Sequence, residues 1–252
     1  MTPMAISWVV FTSVFGGALL GIVLRRRLPK HHLSHDSKDV VKLGMGLIAT
    51  MAALVLALLI ASAKSSHDMQ SNEVTEMSAD FILLDRTLAR YGPETKEVRS
   101  MIPKTIANVL DQTWLGDAYR SENLDSAIGT GAETFYEKIQ RLEPRNDFQR
   151  ALYAQTLQIG MELGHKRSLL LEETGGSIQM PFLVVLVFWL TLIFASFGLF
   201  APANSTVIGV LFACALSVAG AIFLILELDR PFQGLMQISS APLSNALVHI
   251  GK

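Results

Sequence analysis

The sequence predicts an all-α membrane protein: four transmembrane helices in two pairs, with a helical soluble insertion between the second and third. Two observations lead to this. Four uncharged apolar stretches are each long enough to cross a bilayer, and the segment between the middle two is charged with a helical seam. Composition is the third: of 252 residues, 50% are hydrophobic and 17% charged, with mean hydropathy +0.39, whereas soluble domains carry roughly 25% charge.

A span needs about 20 apolar residues, because each adds about 1.5 Å across a core of about 30 Å. The first stretch, Met4 to Leu24, ends abruptly at Arg25-Arg26-Arg27. Its charges follow the apolar run instead of preceding it, so a retained anchor is expected and not a cleaved leader. Leu43 to Ala63 is the second, bounded by Lys42 and Lys64. Met180 to Ala201 is the third and Val207 to Leu226 the fourth, closed by Glu227. The turn Pro202-Ala203-Asn204-Ser205 makes the last two antiparallel neighbours. Domain bounds follow: 1–63 for the first pair with its basic loop 25–42, 64–179 for the helical insertion, 180–228 for the second pair, and 229–252 for a C-terminal tail.

Lys and Arg in short loops set orientation. Loop 25–42 holds Arg25, Arg26, Arg27, Lys30, Lys38 and Lys42, and no basic residue precedes the first span. The loop is therefore expected in the cytoplasm, with the insertion on the periplasmic side of a bacterial inner membrane.

Within the insertion, Val74, Met77, Phe81, Leu84, Leu88 and Tyr91 alternate spacings of three and four, a heptad seam suited to packing on another helix. With no Pro or Gly from Lys64 to Tyr91, this helix is expected to continue out of the second span until Gly92-Pro93. A helix disturbed at Pro103 should follow toward Trp114, then the polar stretch Gly116 to Gly131 and a short helix near 132–142. Pro144 should open a longer helix with Phe148, Leu152, Ile159, Leu163 and Leu170 on one face, broken at Gly175-Gly176. Both inner spans are thereby expected to run on into the insertion.

Motifs of catalysis are missing: there is no nucleophile elbow, phosphate loop, dinucleotide fingerprint or zinc-protease motif. No enzymatic activity and no cofactor are expected. The net charge of −1 argues against nucleic acid as a partner. Cys214, the single cysteine, cannot form an intrachain disulfide. His31, His32 and His35 with Asp36 and Asp39 have ligand chemistry, but they sit in a basic surface loop and no metal site is expected. The spans lack central ionisable groups, which weighs against a proton-driven transporter but not against a channel with an apolar constriction. Small residues recur at i, i+4: Ala49, Ala53, Ala57 and Ala61 on the second span, Gly209, Ala213, Ser217 and Ala221 on the fourth, and Ser13, Gly17 and Gly21 on the first. Such stripes let helices pack closely; the second-span stripe is the candidate for pore lining or helix packing.

After the fourth span come Glu227, Asp229, Arg230, Pro231, Phe232 and Gly234, then Ser239 to Leu243. This segment, with Asp36 to Gly44 and the layout of two spans, helical insertion and two spans, resembles the bacterial bestrophin-like membrane-protein family. Bestrophins form pentameric anion channels whose Asn-Pro-Phe-Gly segment lies just beyond the fourth span. Pro231, Phe232 and Gly234 match it, with Arg230 where Asn is usual. No acidic run follows Phe232, so the calcium clasp of the animal members is not matched. The resemblance implies a cytoplasmic insertion and the loop charges the opposite; the charges belong to this chain, and the expectation follows them. The expected function is an oligomeric, bestrophin-like anion channel, with Arg25, Arg26 and Arg27 adding positive potential at its mouth. Its partners would be further copies of itself, membrane lipid and small anions. The alternative is a non-conducting signalling or scaffold protein whose insertion binds a ligand or partner.

Overall fold

A computed structural model describes residues 2–28, 35–114, 135–172, 178–202 and 204–250. Every regular element among them is helical. The order is α1 (Pro3–Arg27), α2 (His35–Tyr91), a single 3-10 turn (Pro93–Thr95), α3 (Lys96–Trp114), a short α4 (135–140), α5 (Asp147–Glu172), α6 (Met180–Phe200), α7 (Ser205–Leu228) and α8 (Ala241–His249). Helices α1, α2, α6 and α7 are long and apolar enough to cross a membrane. The chain divides into two compact units, Met1–Ser66 with Gly176–Asp229 and His67–Gly175 with Arg230–Lys252.

The first unit holds the four spans. Thr2 caps α1, its hydroxyl accepting from the Ala5 amide at 3.3 Å, and Pro3 opens the helix where a missing N–H does no harm. The three arginines fill the last turn, where cations offset the partial negative charge of the carbonyl end. Close packing joins α1 to α6, with α7 also against α1. Glycine explains how near α1 and α6 come. A methyl group on Gly17 would lie 2.8 Å from Thr191 Cγ2. One on Gly21 would run into the Ala195 carbonyl and lie 2.8 Å from the Leu199 amide nitrogen; one on Gly198 would meet the Ala18 carbonyl. Only bare backbone permits that approach, and Val10, Val14, Ala18 and Ile22 of α1 are buried on either side of it.

The second unit has a separate core. Val74, Met77, Phe81, Leu84, Leu88 and Tyr91 are all buried, and the first five form one cluster with Val98, Ile102, Ile106 and Val109 of α3 and Ile159, Leu163 and Leu170 of α5. The predicted seam is therefore an internal core stripe, satisfied by the same chain. Gly92, at φ 142°, ends α2 in a conformation that side chains disfavour. Helix α3 carries Pro103 within it and continues to Trp114; proline removes one helical hydrogen bond, and the buried Val98, Ile102, Ile106 and Val109 hold the helix across the gap. One expectation is corrected here. Phe148 is exposed, not on the buried face of α5, because it falls in the first turn beyond the reach of the core. That turn is fixed instead by Asn146, whose side chain accepts from the Gln149 amide at 2.7 Å, while Gln149 reaches back to the Arg145 amide at 2.8 Å.

Continuity also differs between the inner spans. Helix α2 passes from the first unit to the second without interruption. Helix α6 starts afresh at Met180, after non-helical Ile178 and an extended Gln179. The Asp229 carboxylate at the end of α7 accepts from the Ile178 amide at 3.2 Å, which satisfies a donor ahead of the α6 N-terminus and anchors the new start.

Candidate functional site

The four alanines Ala49, Ala53, Ala57 and Ala61 share a face of α2 that is exposed along its whole length. The buried positions of this span, Ala52, Leu59 and Ala63, lie about a third of a turn away round the helix. A further face carries Leu43, Leu47, Leu54 and Leu58, each more than 60% exposed. In the most apolar stretch of α2 only 11% is buried, against 33%, 28% and 28% for the other three spans. Gly209, Ala213 and Ser217 of α7 are exposed as well, whereas Gly17 and Gly21 of α1 are consumed by the α6 contact. Identical stripes in sequence thus have two fates, decided by whether the chain itself supplies a partner.

Of the three arginines, Arg25 is half-buried and donates to the Ala201 carbonyl that ends α6. It is a cap as much as a charge. Arg26 and Arg27 are exposed. The histidines of the loop lie outside the described residues or have no described side chain, and among the described residues no His, Cys, Asp and Glu group could hold a metal.

Beyond α7, Glu227 is buried and Asp229 holds Ile178 as above. Arg230 is exposed, its carbonyl accepting from the Gln233 amide at 3.2 Å, and Pro231 accepts from the Ile238 amide at 2.7 Å, so the segment closes on itself as a compact loop. Gly234 sits at φ 90°, the left-handed region that a side chain would strain. Phe232 is buried in the second unit's core, edge-on to Trp114 with ring centroids 5.1 Å apart. Trp114 Nε1 donates to the Ile238 carbonyl at 2.8 Å, Ser78 Oγ to the Pro242 carbonyl at 2.6 Å, and a ring nitrogen of His67 lies 3.2 Å from the Met236 carbonyl. The motif's aromatic ring and glycine therefore shape a strap that α2 and α3 hold from several sides.

Two ion-pair clusters were not legible as such in the sequence. Arg99 donates through Nε and Nη2 to both oxygens of the buried Asp85, at 2.8 and 3.0 Å. That hydrogen bonding, outweighing burial, raises the guanidinium's pKa above its ordinary value. Lys166 of α5 reaches Asp80 at 2.8 Å and Glu76 at 3.0 Å on α2. Burial works against its ammonium charge, but bonds to the two carboxylates prevail and raise its pKa. Arg167 beside it is pushed down by burial. The one available signal was Glu76 and Asp80, four apart on the face beside the seam. Their partner on α5 is 86 residues from Asp80, and no local pattern announces it.

The geometry has relatives. The fold matches crystal structures of a bacterial bestrophin homologue from Klebsiella pneumoniae. A variant with one substitution has a TM-score of 0.68 at 13% identity, covering 96% of this chain and 98% of that one. A second structure of the homologue gives 0.68 at 13% identity, covering 96% and 97%. A further membrane protein matches with 0.64 at 13% identity over 96% and 97%. No protein of curated function matches the chain. At such identities the structures establish a shared helical fold, not a shared chemistry. Sequence carries the assignment further, because the family described as Bestrophin-like domain matches residues 12–243, from the first span to the strap that Phe232 anchors. With four membrane-type helices, a helical insertion and that strap in one chain, this protein belongs to the bestrophin-like family.

Proposed function

We propose that this chain is one subunit of a homo-oligomeric, anion-permeable channel in the bacterial inner membrane. The observation that carries the reading is the second span: α2 is strongly apolar, yet its alanine and leucine faces lack cover from its own chain. Small residues favour close contact with neighbouring helices over lipid. The alanine face from Ala53 to Ala61 would therefore point to the axis or to an adjacent subunit. A passage of this kind has no fixed charge along α2 between Lys42 and Lys64, and such apolar constrictions gate by dewetting. Arg26 and Arg27 would concentrate anions at the mouth by field, with Arg25 contributing from its place on Ala201. The charges of loop 25–42 put that mouth in the cytoplasm and the helical unit in the periplasm.

Purified protein in planar bilayers should give an anion-selective conductance. An absence of ion-selective current at every voltage and pH would overturn the channel reading. The alternative, a non-conducting signalling or scaffold protein whose helical unit binds a ligand or partner, expects no such current.

A further inference from the structure

Between α2 and α6, at the end of the spans nearest the basic loop, lies a cavity of about 470 Å³. Its wall includes Met45 and Ala49 of α2 and Phe197 and Phe200 of α6. The volume falls within the range of about 300–1,000 Å³ typical of ligand cavities. Such a wall offers a hydrocarbon chain good contact and an ion or sugar almost nothing. The rim is different. Lys42 lines it, with its side chain 67% exposed and Asp39 at 3.4 Å, an exposed pair that holds the ammonium only weakly. Ala201 also lines it, and the Ala201 carbonyl accepts from Arg25. A guanidinium carries five N–H donors, so Arg25, bonded to a residue of the cavity's lining, has donors beyond the one given to Ala201.

We propose that this cavity takes one acyl chain of an anionic phospholipid, whose phosphate is held by Lys42 and Arg25. An apolar slot that opens within the thickness of a bilayer fits a lipid tail. A cationic rim at the level of the helix ends fits the headgroup, as basic pockets between transmembrane helices do for acidic lipids. A lipid with net negative charge complements these cationic groups where a zwitterionic one does so less.

The test is thermal unfolding of the full-length protein in detergent, with added phosphatidylglycerol or phosphatidylcholine. Phosphatidylglycerol should raise Tm by several degrees more than phosphatidylcholine does. Lys42→Gln should shrink that difference, and Ala49→Phe, which fills the slot, should abolish it. Equal shifts from the two lipids overturn the proposal. So does a phosphatidylglycerol-specific shift that survives both substitutions. If Ala49→Cys, in a Cys214→Ser background, forms disulfides between chains, the cavity wall belongs to a subunit interface and the proposal also falls. None of these readouts involves current, so failure here and failure to conduct are distinguishable.

Discussion

Asp85 and Arg99 show what one residue pair contributes to this protein. Both oxygens of a carboxylate buried on α2 accept from a guanidinium on α3, which offsets the cost of burying its charge. Removing one partner strands the other. Asp85→Ala should destabilise the protein by about 1–3 kcal/mol, given that Arg99 keeps some contact with water. Circular dichroism melts in detergent measure this, and an unchanged Tm would refute the role; Arg99→Lys should recover only part, because lysine cannot bridge both oxygens. Titration offers a second check at this scale. The pKa values of Tyr91 and Tyr136, raised chiefly by burial, and of Lys166, raised by its carboxylates, all lie above their ordinary values. A raised folded-state pKa gives stability that is complete below the unfolded value and disappears as pH rises through the folded one. Stability should therefore hold up to about pH 10 and fall beyond it, since unfolded tyrosine and lysine ionise near 10 and 10.4. Tyr91→Phe combined with Lys166→Met should flatten that fall in alkaline melts; an equally steep decline would show that these groups are not its source.

At the scale of the element, the legible features were those that depend on neighbours in sequence. Uncharged runs marked every span, and spacings of three and four marked the seam that became the core of the second unit. Gly92-Pro93 marked the end of α2. What sequence could not show was partner choice. Ser13, Gly17 and Gly21 read the same as Ala49, Ala53, Ala57 and Ala61, yet the α1 glycines lie on α6, Ala49 only lines a cavity beside α6, and Ala53, Ala57 and Ala61 are left exposed. Phe148 fitted the α5 pattern and fell outside the core, because periodicity gives a face but not how far along the helix the partner extends. The α1–α6 crossing makes its own prediction. Gly21→Ala forces a methyl group into the α6 backbone, so overpacking should cost about 1–3 kcal/mol. Gly16 is the control, since nothing lies within 4 Å of a methyl group placed there. Gly16→Ala should be neutral or slightly stabilising through helix propensity. Equal melting of the two variants would mean that the close backbone approach does not hold α1 to α6.

For the molecule as a whole, the question is what covers α2 in the membrane. Lipid tails would satisfy any apolar face, so exposure alone does not select a protein partner. Residue size does. A leucine face gains as much from lipid as from protein, whereas an alanine face gains from a helix that can approach closely enough to touch its backbone. The alanine side of α2 from Ala53 to Ala61 should therefore meet further copies of the chain, and the leucine side should be the less intimate one. Cysteine placement separates them in a Cys214→Ser background, which removes the native thiol exposed on α7. Ala53→Cys should cross-link between chains in native membranes under mild oxidation, and Leu58→Cys, on the other side of the helix, should do so far less. Equal cross-linking, or none at Ala53, would remove the alanine face from the assembly and with it the placement of α2 nearest the axis. The same background tests sidedness: Gln158→Cys on the exposed side of α5 should react with an impermeant thiol reagent added from the periplasm. Protection at Gln158 together with labelling at Ser34→Cys would reverse the orientation. The two outcomes are independent, so the assembly could be right and its direction wrong. A reversed chain would carry Arg26 and Arg27 on the periplasmic face, where they would draw anions from outside the cell instead of from the cytoplasm.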